Sequence, residues 1–230
     1  PLTSILGAAT TLQQPDVAPE QATQLSALIA SQARYLASTT ENILSLIRLE
    51  STSVGQISMD WQSPEEIIGV VTALYQSQSE YQSRGELVDL QVTISEPELL
   101  IKANANLLTQ ALVNLIDNAK QAQSKAADSN LTNLNQAPIL IDVSKTDGRI
   151  NISVNDRGTG FSETFNASQI KKFSGSNTQG FGLGLSIVQA IAKAHDAIFT
   201  INNRDGGGAC ATLSFHIPDV GSIDVGNTNA

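Results

Sequence analysis

The chain has 230 residues, 41% of them hydrophobic, and its 22 Asp+Glu against 13 Lys+Arg give a net charge of -9. That apolar content buries a core, which excludes disorder as the main state, and the acidic balance excludes the basic field that binds nucleic acid or anionic lipid. One cysteine, Cys210, and two histidines exclude an internal disulfide and a Cys/His metal cluster, and no stretch reaches the roughly 20 apolar residues that span a bilayer.

The first segment, "PLTSILGAATTL", carries Leu2, Ile5, Leu6, Ala9 and Leu12 at three- and four-residue steps, and proline is tolerated in the first turn of a helix. After a short "QQPDVAP" connection, a second and longer helix sets Leu25, Leu28, Ile29, Leu36, Ile43 and Ile47 on one stripe. Residues 1–53 therefore read as an antiparallel helical hairpin. Two helices enclose little core, so a second copy of the hairpin is the expected partner, giving a dimeric four-helix bundle. The alternative is a hairpin that packs on its own C-terminal domain.

The pattern changes near residue 54. A short strand in "ISMDWQ" leads to "SPEEIIGVVTALYQ", with Ser63 as N-cap, Pro64 as first helical residue and Glu66 as capping-box partner. Strands follow at 88–94 and 99–103, then a helix at 105–122, strands at 139–145 and 149–155, a helix at 183–195, and strands at 197–202 and 209–216. This succession predicts an α+β layered domain over 54–218. The polar stretch "QSKAADSNLTNLNQAP" reads as a loop, and 219–230 as a tail too poor in apolar residues to order itself.

Three stretches in this second domain carry chemistry. Asn114 and Asn118 share one helix face at the edge of the Leu108, Leu112, Leu115 and Ala119 stripe, and an amide oxygen suits magnesium when substrate phosphates supply further ligands. The alternation of Ile150, Ile152 and Val154 puts Asp156 at the edge of an apolar face, where a buried carboxylate needs donors such as the exocyclic amine of adenine. Gly158 and Gly160 beyond it would let backbone approach a flat ring. Gly180, Gly182 and Gly184 precede a helix whose N-terminal amides point at phosphate, yet no strand precedes them and no Gly-Lys-Ser/Thr follows, which argues against dinucleotide and Walker motifs. The polar segment 161–179 suits a lid, with Lys171 and Lys172 as cations for phosphate oxygens.

In this order, behind a helical hairpin, "NLIDNAKQA", "VNDRGTGF" and "GFGLGLSIV" resemble the sensor histidine kinases of two-component systems. In detail, "STTENILSLIRLES", "WQSPEEIIGVV" and "NNRDGGGACATLSFHIP" look most like the KdpD-type, potassium-responsive members. The resemblance covers 1–217. It implies an α/β-sandwich ATP-binding domain of the histidine kinase and heat-shock chaperone type, with helices on one face of a mixed sheet. It implies ATP and Mg2+ as cofactors, a homodimer and a response regulator as partners, and a cytosolic transmitter belonging to an inner-membrane sensor protein. Residue by residue, it implies that Asn118 ligates magnesium, Asn114 sits beside the phosphates, and Asp156 binds the adenine amine between Gly158 and Gly160. It further matches Lys172 and Phe173 to the lid, and Gly180, Gly182, Leu183 and Gly184 to the turn at the phosphates.

The resemblance also implies that "PLTSI" continues a motif whose phospho-accepting histidine stands just before Pro1, so that the chain as given is not expected to phosphorylate itself there. His195 and His216 read as structural. Where the family has a lysine and an aromatic residue after its asparagine, this sequence has Gln121 and Ala122, and Lys120 lies one step earlier, about 100° around the helix. These departures bear on phosphate affinity. A non-catalytic nucleotide-binding docking module, or an ATPase or serine kinase on the same fold, stands beside the kinase reading.

Overall fold

The computed structural model describes residues 1–51, 57–81, 88–128, 137–161 and 183–217. Two helices, α1 (Leu2–Leu12) and α2 (Pro19–Ser51), form the expected hairpin and pack on each other. Leu28, Ile43 and Ile47 of the α2 stripe stay exposed, as do Leu44 and, on α1, Leu2 and Leu6. The single hairpin thus leaves much of its apolar surface uncovered. The expected boundary near residue 54 lies outside the described residues.

The second unit begins with β1 (Asp60–Gln62), followed by α3 (Pro64–Tyr81), β2 (Leu90–Ile94), β3 (Ile101–Ala103), α4 (Ala105–Asp128), β4 (Ile139–Thr146) and β5 (Arg149–Asn155). It ends with α5 (Leu183–Ala194), β6 (Ile198–Asn203) and β7 (Ala209–His216). Ser63 caps α3 as its sequence demands, its Oγ accepting from the Glu66 N–H at 3.4 Å. Five strands form a mixed sheet in the order β2-β4-β5-β7-β6, parallel only between β2 and β4, while β1 and β3 pair apart.

Alternation along the strands gives the sheet two unlike faces. Val143, Ile152 and Leu213 stand opposite one another on β4, β5 and β7 and pack into one core with α3, α4 and α5. The opposite face is polar: Ser153 and Thr212 hydroxyls lie 2.8 Å apart across β5 and β7, and Ser214 Oγ donates to Asn151 Oδ1 at 2.6 Å. Helices on one face of a mixed sheet are what the resemblance implied.

Helix α4 runs six residues beyond the expected end at 122. Polarity suggested a loop from Gln123 onward, but Ala126 is fully buried and Gln123, also buried, donates its Nε2 to the Ala137 carbonyl at 3.1 Å. A satisfied amide thus extends the apolar stripe by another two turns. At its other end α4 is capped by Asn104, whose Oδ1 accepts from the Leu107 N–H at 3.1 Å.

The hairpin and the second unit also meet. Helix α2 packs against α5, Leu49 joins the margin of the core, and Gln110 Nε2 of α4 donates to Ser45 Oγ at 3.0 Å. The alternative of a hairpin resting on its own C-terminal domain is therefore realised here. No helix among the described residues is long and apolar enough to cross a membrane.

Candidate functional site

Helix α4 presents Asn114 and Asn118 one turn apart, both half-buried. Asn114 Nδ2 donates back to the Gln110 carbonyl at 2.9 Å, which fixes the amide and leaves its Oδ1 toward Gly184. Asn118 Nδ2 is buried and has no hydrogen-bond partner among the described residues. A buried, unpaired amide costs about 1–3 kcal/mol, which makes it a candidate ligand contact. Facing both amides is Gly184, in the first turn of α5: a Cβ there would stand 3.2 Å from Asn118 Nδ2 and 3.3 Å from Asn114 Oδ1.

Asp156 ends the apolar face of β5, as alternation predicts, and is 6% exposed. Its Oδ1 accepts from the Gly158 N–H at 2.7 Å and the Ala209 N–H at 3.2 Å, which leaves Oδ2 to accept from a ligand. Burial pushes its carboxyl above the ordinary carboxylate value, against the two N–H donors and the Arg204 guanidinium. A carboxylate so held is an acceptor in search of an uncharged donor.

The two glycines after Asp156 have reasons other than a flat ligand. A Cβ on Gly158 would come within 2.5 Å of the Ala122 carbonyl carbon of α4. Gly160 adopts φ +66°, and a Cβ there would lie 2.9 Å from Asn203 Oδ1. Protein packing alone therefore demands both. The loop also fixes the site's dimensions, because α4 is touched at Ala122 by Gly158 and one turn earlier, at Asn118, by Gly184.

Of the other expected site residues, Leu183 is buried as the first residue of α5, Gln121 is exposed, and Lys120 lies near the Asp117 carboxylate, which accepts from Tyr75 Oη at 2.8 Å. Lys171, Lys172, Phe173, Gly180 and Gly182 lie outside the described residues. His195 is structural, as expected: its Nε2 accepts from the Asn104 N–H at 2.9 Å and its Nδ1 pairs with the Ile191 carbonyl at 2.7 Å, joining the end of α5 to the start of α4. Burial holds its pKa below the ordinary 6.5. His216 is exposed at the end of β7. The turn between β6 and β7 was not read from the sequence as part of the site, although its three successive glycines were a signal.

The model of the family described as histidine kinase-, DNA gyrase B- and HSP90-like ATPase matches residues 103–219. The chain belongs to this ATPase family. Its match begins just before α4 and runs past β7, so it takes in both asparagines, Asp156 and the start of α5. The chain is 29% identical over 220 residues to the sensor protein KdpD of Escherichia coli, which covers 91% of this chain. It spans 17–22% of the length of KdpD and two further sensor proteins it matches.

Among solved structures, full-length ShkA in complex with AMPPNP is 25% identical, with a TM-score of 0.64 over 94% of this chain and 42% of that one. The histidine kinase ThkA in complex with response regulator protein TrrA is 16% identical, with a TM-score of 0.66 over 93% of this chain and 57% of that one, and shares the fold.

Proposed function

We propose that this chain is the ATP-binding transmitter of a sensor histidine kinase, which transfers the ATP γ-phosphoryl group to a histidine and then to an aspartate of a response regulator. The observation that carries the reading is the contact of α4 on successive turns with the Asp156 loop and with the start of α5. A base donor at Oδ2 of Asp156 and phosphates at the α5 amides would then lie along one helix.

Asp156 binds the adenine amine, with Gly158 and Gly160 forming the wall beside it. Asn114 and Asn118 serve the phosphates together with Gly180, Gly182, Leu183 and Gly184, while Lys172 and Phe173 belong to the lid. Asn118 fits magnesium because its buried amide nitrogen has no partner among the described residues and a half-turn about χ2 presents its oxygen. Magnesium, when bound, neutralises phosphate charge. A neutral imidazole is already a nucleophile, so the remaining task of the protein is alignment. Lys120 and Gln121, in place of the usual lysine, set how strongly the phosphates are held.

Leu2, Leu6, Ile43 and Ile47, exposed on the hairpin, support a homodimer through residues 1–53. The same reading takes 54–218 as the catalytic domain and the whole as the cytosolic part of an inner-membrane sensor.

The test incubates the protein encoded by the full gene with γ-labelled Mg-ATP, beside an Asn118→Ala variant. Acid-labile label that is lost in the variant supports the kinase. Acid-stable label points to a serine kinase, and ATP binding without label points to a docking module.

A further inference from the structure

The turn between β6 and β7 holds Asp156 from three directions. The Asp156 N–H donates to the Ala209 carbonyl at 2.9 Å, the Ala209 N–H returns to the carboxylate, and Arg204 Nη1 donates to the Asp156 carbonyl at 2.8 Å. With the Gly158 N–H on the same carboxylate oxygen, every backbone polar group of Asp156 has a partner, and the carboxylate has one fixed orientation. The turn is itself braced, since the Arg204 N–H donates to the Gly208 carbonyl at 3.0 Å and Arg157 Nη1 reaches the Asp205 carbonyl at 3.3 Å.

Asn203 acts on the far side of the loop. Its Oδ1 accepts from the Phe161 N–H and its Nδ2 donates to the Phe161 carbonyl, both at 2.8 Å, so one amide side chain stands in for a neighbouring strand. The loop from Asp156 to Phe161 is thus pinned at both ends by one turn. Gly206, Gly207 and Gly208 all adopt positive φ, between +78° and +97°, and a Cβ on Gly208 would overlap the Asp156 carbonyl oxygen. The glycines let the turn come that near.

We infer that Arg204 and Asn203 are positioning residues for base recognition, which aim the open oxygen of Asp156 and so set a preference for a purine bearing an amine over one bearing a carbonyl. An ionised carboxylate only accepts, so adenine gives it a partner where the guanine carbonyl would meet it oxygen to oxygen. The strength of that discrimination depends on the carboxylate being unable to swing away. The inference rests on the nucleotide reading above.

The experiment titrates the whole chain with ATP and with GTP, in Mg2+, for wild type, Arg204→Met, Arg204→Lys and Asn203→Ala, with thermal unfolding of each variant recorded without nucleotide. Arg204→Met is expected to lose about tenfold in ATP affinity while GTP affinity changes little, the scale of one charge-assisted hydrogen bond. Arg204→Lys keeps most of the preference, because an ammonium still donates to the Asp156 carbonyl. Asn203 is exposed, so Asn203→Ala folds, and it is expected to lower the ATP:GTP ratio about threefold. Equal losses for both nucleotides, or a ratio unchanged in folded Arg204→Met and Asn203→Ala, overturn the inference while the nucleotide reading stands. A wild type that binds neither nucleotide overturns both.

Discussion

The two ends of the site are built on opposite plans. At Asp156 the protein satisfies nearly everything itself: backbone N–H and C=O, one carboxylate oxygen and both following glycines are committed to Ala122, Asn203, Arg204 and Ala209. At Asn118 the amide nitrogen is buried and has no partner among the described residues, with the start of α5 pressed close. On the proposed reading the base end is rigid before any ligand arrives, and the phosphate end is completed by what binds. Rigid recognition of a planar base needs fixed acceptors, whereas a phosphate chain that must react and leave is better served by groups that are only provisionally satisfied.

Breaking the rigid end should have the largest effect. Gly158→Val drives a branched side chain into the backbone of α4, and overpacking against backbone is expected to lower unfolding free energy by about 3 kcal/mol, read from denaturant midpoints at unchanged m-value. If the loop simply moves aside, stability will hold and only ATP affinity will fall, which would show the base end to be less rigid than its contacts suggest.

The phosphate end should respond in the opposite direction. Asn118→Leu replaces an unsatisfied buried amide by an apolar group of similar size, so the nucleotide-free chain is expected to gain about 1 kcal/mol while Mg2+ ceases to strengthen ATP binding. Paired measurements of thermal stability and ATP affinity, with and without Mg2+, check both halves. A loss of stability would mean that the amide is satisfied within the protein after all.

The smallest effect is a titration. The Asp156 carboxyl is raised above its ordinary 3.8, so between that value and its folded pKa the native chain takes up a proton that the unfolded chain does not. This group therefore adds stability as pH falls through that window and withdraws it as pH rises. ATP affinity should move the other way, because the protonated acid no longer offers two acceptor oxygens. Titrations from pH 7 down to the window should show binding weakening ahead of any global unfolding.

Most of the fold was legible because alternation and helical spacing are local signals. Val154 and Asp156 share a parity, and that alone placed the carboxylate at the core's edge. The extent of α4 was not legible, because Gln123 looks like a loop residue until its amide is seen to meet Ala137. Nor was the clamp on Asp156, whose partners Arg204 and Ala209 stand 48 and 53 residues further along the chain. The glycines after Asp156 were read as making room for a ligand, whereas the structure gives them a first reason in the neighbouring helix and turn. Both motif halves make sense only once β5 and β7 are paired.

The meeting of Gly158 with Ala122 also works as a ruler. An α-helix advances about 1.5 Å and turns about 100° per residue, so sliding α4 by a single step would carry a different, bulkier flank into that gap. The spacing between the carboxylate and the two asparagines is thus registered by a place where atoms are missing. Residues 122 and 158 are one steric unit: a methyl group added at either is a question asked of both.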